Sequence, residues 1–237
     1  AIHPGYGFLS ENPDFAEACK KNDIVFIGPT KEILNKLGNK TEAKKVAKEA
    51  GVQTIPSINI EEKEFKNLQI TAKKIGFPLM IKASWGGGGR GMRIVRNEKE
   101  LTNQINEAKS EAKKAFGKDE IFLEKYLEDA AHVEVQILGD QFGNIIHLFD
   151  RDCSIQRRHQ KIIERAPADF IDNKLRNKIC DAAISIAQKV NYVGAGTVEF
   201  LLDKKSNDFY FIEVNPRIQV EHTVTEEVTG IDIVKAQ

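Results

Sequence analysis

The chain has 237 residues, with 35 basic and 35 acidic side chains and no formal net charge, so it is long enough for a sizeable core and one or two domains and shows no bias toward nucleic acid or membrane surfaces. No apolar run approaches the roughly 20 residues that span a bilayer, and no signal peptide is visible. Cys19, Cys153 and Cys180 are scattered without CxxC spacing, which argues against a disulfide framework or a zinc site and for reduced thiols inside a cell.

In chain order, Ala1–Pro4 reads as the end of a buried strand that turns through Gly5-Tyr6-Gly7. A helix follows over 13–22, with Asn12 as cap and Pro13 at its first position. Strand 24–27 and a helix behind Gly28-Pro29-Thr30 complete one α/β unit. Residues 28–54 form a helical connection, with helix formers from Lys44 to Ala50 and Gly51 as stop signal. The chain has no initiator methionine and ends in or just after a helix around 231–236.

Residues 55–126 alternate helix and strand: a helix near 63–75, strand 79–83, a glycine loop, strand 92–95, an amphipathic helix from Lys99 to Phe116 and strand 121–124. Lys82 sits in the strand that enters Gly86-Gly87-Gly88-Gly89-Arg90-Gly91. Glycines let backbone N–H groups approach phosphate oxygens. A strand follows this loop, whereas a P-loop or dinucleotide fingerprint opens a helix. The loop is therefore either a flap on a hairpin that closes over phosphates or a plain flexible connection.

Residues 127–237 hold antiparallel strands at 132–139 and 145–150, a helix over 173–190, and two apolar runs, 196–202 and 209–214, joined by the polar cluster 203–208. The runs predict a β-hairpin. Glu199 and Glu213 are equidistant from Ser206, which would place their Cβ atoms about 5 Å apart on one face. Two like charges in an apolar setting need a cation between them, and a hard metal ion sharing phosphate ligands would serve. An edge hairpin whose acids reach water is the alternative. After Pro216, alternation would put Arg217, Gln219 and Glu221 on one side and Ile218 and Val220 on the other. A guanidinium fork suits a planar anion, and a glutamate beside it could take its proton.

Together GGGGRGM, EKYLE, RDCSIQRRHQK, GAGTVEF and EVNPRIQVEHTVTE, spread over essentially the whole chain, resemble the biotin carboxylase component of biotin-dependent carboxylases, within the ATP-grasp superfamily. Asn215-Pro216-Arg217, Glu221–Glu226, Ser84-Trp85 and the closing Gly230–Lys235 resemble the pyruvate carboxylase branch. The acetyl-CoA carboxylase branch would have threonine before the arginine and proline after the histidine.

The resemblance implies an α/β and α+β ATP-grasp fold: residues 1–27 as the tail of a preceding pre-ATP-grasp domain, 28–54 as linker, 55–126 as the small lobe or lid, and 127–237 as an incomplete large lobe. It implies ATP- and bicarbonate-dependent carboxylation of carrier-bound biotin, with ATP, Mg²⁺ or alternatively Mn²⁺, and biotin as cofactors. Glu199, Glu213 and Asn215 would hold metal. Lys40, Lys82, Gly86, Gly87, Gly88, Gly89, Gly91, Glu124, Lys125, Tyr126, Leu127, His132, Gln156 and His159 would hold ATP. Arg217, Gln219, Val220, Glu221 and Lys161 would hold bicarbonate, with Glu221 as base and Arg217 and Lys161 beside it in catalysis.

A further arginine of the family would lie beyond Gln237. Expected partners are bicarbonate, carrier-bound biotin, and carboxyltransferase and biotin carrier domains in a homo-oligomer of the cytoplasm or mitochondrial matrix, with no nucleic acid or membrane. The rival readings are an acetyl-CoA or acyl-CoA carboxylase, another ATP-grasp ligase of the carbamoyl-phosphate kind, and a non-catalytic nucleotide-binding module.

Overall fold

The computed structural model describes residues 1–60, 65–85, 92–158 and 160–237. The glycine loop 86–91 and His159 therefore lie outside the described residues. The chain divides into two compact units: Ala1–Thr54, Asp129–Gln156 and Lys161–Gln237 form one, and Ile55–Glu128 with Arg157–Gln160 the other.

In the first unit, α1 (Pro13–Lys21) starts as the sequence predicts: Asn12 Oδ1 accepts the Phe15 N–H at 2.8 Å, and Pro13 sits where no N–H partner is needed. The strand expected over 24–27 reduces to one parallel bridge, Ile2 to Phe26. Thr30 caps α2 (Lys31–Gly38). The next helix, α3 (Lys40–Glu49), begins four residues earlier than the helix formers suggest, because Asn39 Oδ1 accepts the N–H groups of Thr41 and Glu42. It stops before Gly51, whose φ of +76° suits glycine.

The second unit contains β1 (Ser57–Asn59), α4 (Phe65–Ile75), β2 (Leu79–Ala83), β3 (Arg93–Val95), α5 (Glu98–Phe116) and β4 (Ile121–Lys125). Its sheet runs β1-β4-β2-β3, antiparallel throughout. Leu101, Ile105, Ala108 and Ala112 form the buried stripe of α5 at helical spacing. They pack on Leu79, Ile81 and Leu123.

The first unit resumes with β5 (Ala130–Gly139), β6 (Ile145–Arg157), β7 (Gln160–Arg165), α6 (Asn173–Lys189), β8 (Gly194–Asp203), β9 (Phe209–Asn215), α7 (His222–Thr229) and α8 (Ile233–Ala236). The sheet order is β7-β6-β5-β8-β9. One face carries Val133, Val135, Val198, Phe200 and Val214 into a core with Ile179, Ala183 and Ile186 of α6 and Ala43 and Ala47 of α3. Phe200 meets Phe209 and Phe211 edge-on at 5.6 and 6.4 Å, an arrangement that adds about 0.5–1.5 kcal/mol per pair beyond area burial. The sequence predicts that β6 stops at Asp150, but it continues to Arg157, and the basic run turns back as β7. Residues 151–157 are mostly polar, which hid the strand.

Candidate nucleotide and anion site

Backbone register sets four charged residues in one row. Arg151 on β6 opposes Glu134 on β5, Glu134 opposes Glu199 on β8, and Glu199 opposes Glu213 on β9. Cross-strand partners share a face, and the opposite face is the apolar core, so the row projects from the side away from it. The sequence expectation that Glu199 and Glu213 face each other holds, but by another route. Leu202–Phe209, Leu201–Tyr210 and Phe200–Phe211 pair about a point between Lys205 and Ser206, and a register shift next to Glu199 leaves Ile212 unopposed. A bulge of this kind re-aims a side chain. Without it Ile212 would face Glu199.

Protein cations meet the carboxylates individually. Lys161 Nζ lies 2.8 Å from Glu199, 2.8 Å from Glu221, and also bonds Glu134. His132 Nε2 is 2.8 Å from the other Glu199 oxygen. Asn215 and Gln219 donate to Glu199 Oε1 at 2.8 and 3.2 Å. Glu213 pairs instead with Lys40 at 2.6 Å. Arg151 is fully buried and donates from Nε to Glu134 at 2.6 Å.

Burial opposes the charges of Glu199, Glu134, Lys161 and His132, yet opposite charges outweigh it. The pKa of Glu199 is held well below the usual carboxylate range by His132 and Lys161, and that of Glu134 is lowered by Arg151 and Lys161. Glu199 and Glu134 in turn raise Lys161 and His132.

Glu199 and Glu213 fit a divalent cation. They are hard oxygen donors on opposed strand positions, and in this structure each already needs a protein cation as partner. Among the described residues, Glu134, Cys153 and Glu221 also offer ligand atoms within 4.8 Å of one another. Burial and Glu134 push the Cys153 thiol up, so it stays protonated and is a poor metal ligand.

The segment after Pro216 departs from simple alternation. Val220 is 62% exposed while Ile218 and Gln219 are buried. The extended run is cut short because α7 begins at His222, with Glu221 (φ −77°, ψ 5°) at its cap. Gln219 and Glu221 nonetheless meet at the Lys161–Glu199 cluster. Arg217 points elsewhere first: its Nε donates to Glu11 at 2.6 Å and its Nη2 to Asn215 Oδ1 at 3.3 Å.

Other predicted residues fall in smaller groups. Gln156 Nε2 lies 2.8 Å from His132 Nδ1 and donates to Cys153 O at 2.8 Å. In the second unit, Lys82 Nζ is 3.3 Å from Glu124, the glutamate buried and the lysine half-buried. Lys125 Nζ donates to the Gly76 and Phe77 carbonyls at 2.9 and 3.0 Å, and the Tyr126 N–H to Pro78 O. Leu127 follows directly.

Sequence reasoning missed Glu134, Arg151, Gln136, Thr197, Thr225 and Glu11. A signal for two of them was available. His132, Glu134 and Gln136 alternate with Val133, Val135 and Ile137, the period of a strand with one functional face.

Residues 39–237 match the family described as carbamoyl-phosphate synthase L chain, ATP binding domain, and residues 1–34 match the biotin carboxylase N-terminal domain. The chain belongs to this ATP-binding family. Within it, the chain resembles the biotin carboxylases, and its fold is the ATP-grasp fold. It is 54% identical over its whole length to a pyruvate carboxylase of Bacillus subtilis, of which it spans 20%. It is 53% identical to the mitochondrial methylcrotonoyl-CoA carboxylase subunit alpha of Rattus norvegicus, of which it spans 33%. The biotin carboxylase domain dimer of Hydrogenobacter thermophilus 2-oxoglutarate carboxylase, solved with MgADP, ADP and bicarbonate, superposes with a TM-score of 0.95 at 50% identity. That match covers 99% of this chain and 52% of that one. Among the described residues, no helix is long and apolar enough to cross a membrane.

Proposed function

We propose that this chain supplies the ATP- and bicarbonate-dependent carboxylation of carrier-bound biotin in a pyruvate carboxylase. The observation that carries the reading is Lys161, whose single ammonium touches Glu199, Glu134 and Glu221. One cation thus joins a metal-type carboxylate to a carboxylate poised as base. Bicarbonate would replace part of this contact, held by Lys161, Gln219, Arg217 and the Val220 backbone. Glu221 removes its proton, and the freed oxygen attacks the γ-phosphorus of ATP as ADP leaves. The product, carboxyphosphate, breaks down to CO₂ and phosphate, and the biotin ring nitrogen gives its proton to that phosphate as it takes up the CO₂.

Glu199, Glu213 and Asn215 would hold Mg²⁺ or Mn²⁺, which when bound neutralises phosphate charge. Lys40, Lys82 and the loop Gly86 to Gly91 would fix the phosphates. Glu124, Lys125, Tyr126, Leu127, His132, Gln156 and His159 complete the nucleotide contacts. Residues 55–126 act as lid and 127–237 as the larger lobe. Carboxyltransferase and biotin carrier domains, a homo-oligomer, and a cytoplasmic or mitochondrial-matrix setting belong to the same reading. The bicarbonate and MgADP bound by the 2-oxoglutarate carboxylase relative support it.

The full-length protein should cleave ATP in a bicarbonate- and biotin-dependent manner. ATP cleavage indifferent to bicarbonate would overturn the reading. The 53% identity to a methylcrotonoyl-CoA carboxylase subunit favours a second acyl acceptor over other ATP-grasp chemistries. Product analysis with pyruvate against 3-methylcrotonoyl-CoA separates the two.

A further inference from the structure

Arg151 uses every donor it has. Its Nε donates to Glu134 at 2.6 Å, Nη1 to Gln136 and Thr225 at 2.9 Å each, and Nη2 to Thr197 and Gln219 at 3.2 Å each. Five N–H groups meet five acceptors, the full complement of a guanidinium. The acceptors come from β5, β8, the segment after Pro216 and α7.

The register device that brings Arg151 there is visible. Ile137 opposes His147, and continuing that register would set Asp150 against Glu134. A shift between Val135 and Ile137 sets Arg151 there instead. Phe149, next to this shift, has a φ of +61°, a left-handed conformation that costs a non-glycine residue on the order of 1 kcal/mol or more. The backbone is strained to replace an acid–acid pair with an arginine.

Resting on the function proposed above, we propose that Arg151 is the positioning residue of the bicarbonate pocket, acting through Gln219, Glu134 and Thr225. Each partner leads to one anion-facing group. Gln219 gives its Oε1 to Arg151 and its Nε2 to Glu199. A metal ion held by Glu199 would compete for the oxygen that accepts from Gln219, and the Arg151 bond to Oε1 would still fix the orientation of that amide. Glu134 gives one oxygen to Arg151 and the other to Lys161. Thr225 lies in the first turn of α7, whose cap residue is Glu221. No lysine can reproduce this, because an ammonium has three donors and no plane.

The test is steady-state kinetics of the full-length protein, varying bicarbonate and Mg·ATP separately. Arg151→Lys is expected to raise the KM for bicarbonate by about 10-fold or more while the KM for Mg·ATP stays within about 2-fold. Thr225→Val, which removes one acceptor, should raise the bicarbonate KM several-fold, and Thr225→Ser should restore it. A general structural role would move both KM values and the melting temperature together, and that outcome overturns the proposal. An unchanged bicarbonate KM in Arg151→Lys overturns it as well. If Arg151→Lys does not fold, the threonine pair decides: wild-type kinetics in Thr225→Val, or no rescue by Thr225→Ser, refutes it. Wild-type protein without bicarbonate dependence would instead refute the carboxylase reading itself.

Discussion

Glu199 faces Glu213 directly across β8 and β9, yet the two carboxylates have different cationic partners, Lys161 and His132 for the first and Lys40 for the second. The repulsion that opposition alone would create is already compensated. Replacing Glu199 with Gln should therefore destabilise the nucleotide-free protein, because it leaves Lys161 and His132 under-compensated in a buried place. Removing one partner of a buried pair typically costs about 3–5 kcal/mol. Glu213→Gln should cost less, since its side chain is 25% exposed. Both should weaken Mg·ATP binding. Calorimetric titration beside thermal unfolding checks this, and unchanged Mg·ATP affinity in both variants would remove the metal role.

Lys40 presents the same logic from the cation side. Its ammonium neutralises Glu213 at 2.6 Å, a carboxylate that would also serve as a metal ligand. Lys40→Met should therefore bind Mn²⁺ more tightly than wild type in the absence of nucleotide, while binding ATP more weakly. Mn²⁺ titration followed by paramagnetic resonance gives the first quantity and calorimetry the second. A loss of Mn²⁺ binding in the variant would mean that Lys40 supports the metal site rather than competing with it.

Backbone packing makes its own prediction at the far end of the sheet. A Cβ on Gly139 would run into the Tyr192 carbonyl, and Tyr192 is fixed by burial and by its hydroxyl donating to Ala195 O at 2.9 Å. Gly139→Ala should lower stability by about 1–3 kcal/mol, the range for overpacking. Denaturant unfolding measures it.

Much of this was legible in the chain because local chemistry decided it. Asn12 and Thr30 cap helices through their own side chains, and the apolar runs of β8 and β9 announce a hairpin. What escaped needed partners distant in sequence. Arg151 acquires its meaning only from Glu134, Gln136, Thr197, Gln219 and Thr225, up to 74 residues away. The polar half of β6 resembled a loop because its side chains serve a polar site rather than a core. Glu199 and Glu213 were matched by symmetry about Ser206, whereas the true turn centre differs and a bulge makes up the difference. No periodicity argument sees such a bulge.

Asp152 links pH to stability. Burial opposes its charge, but Ser154 and Arg165, the latter 2.7 Å away, hold its pKa below the ordinary aspartate value. A lowered folded-state pKa contributes stability that is present above the unfolded value of about 4 and lost as pH falls through the folded one. Asp152→Asn should therefore be less stable than wild type by about 1–2 kcal/mol near neutrality. The gap should close as pH drops below about 4. Thermal unfolding of both proteins between neutrality and pH 3 tests this, and a gap independent of pH would show that packing, not charge, sets the difference.

Glu221 offers the sharpest separation of chemistry from binding. It contacts Lys161 at 2.8 Å and sits at the start of α7 without making a side-chain cap hydrogen bond, so its carboxylate is not committed to the helix. In the full-length protein Glu221→Gln keeps the shape and removes the base. Bicarbonate-dependent ATP cleavage should fall by around 10²–10⁴-fold, the usual contribution of a positioned general base, with ATP affinity little changed. Arg217→Lys retains charge but loses the fork that now reaches Glu11 and Asn215, and should chiefly raise the bicarbonate KM. Near-normal turnover in Glu221→Gln would reassign the base. Loss of ATP binding in both variants would assign this segment to the nucleotide and leave bicarbonate without its pocket.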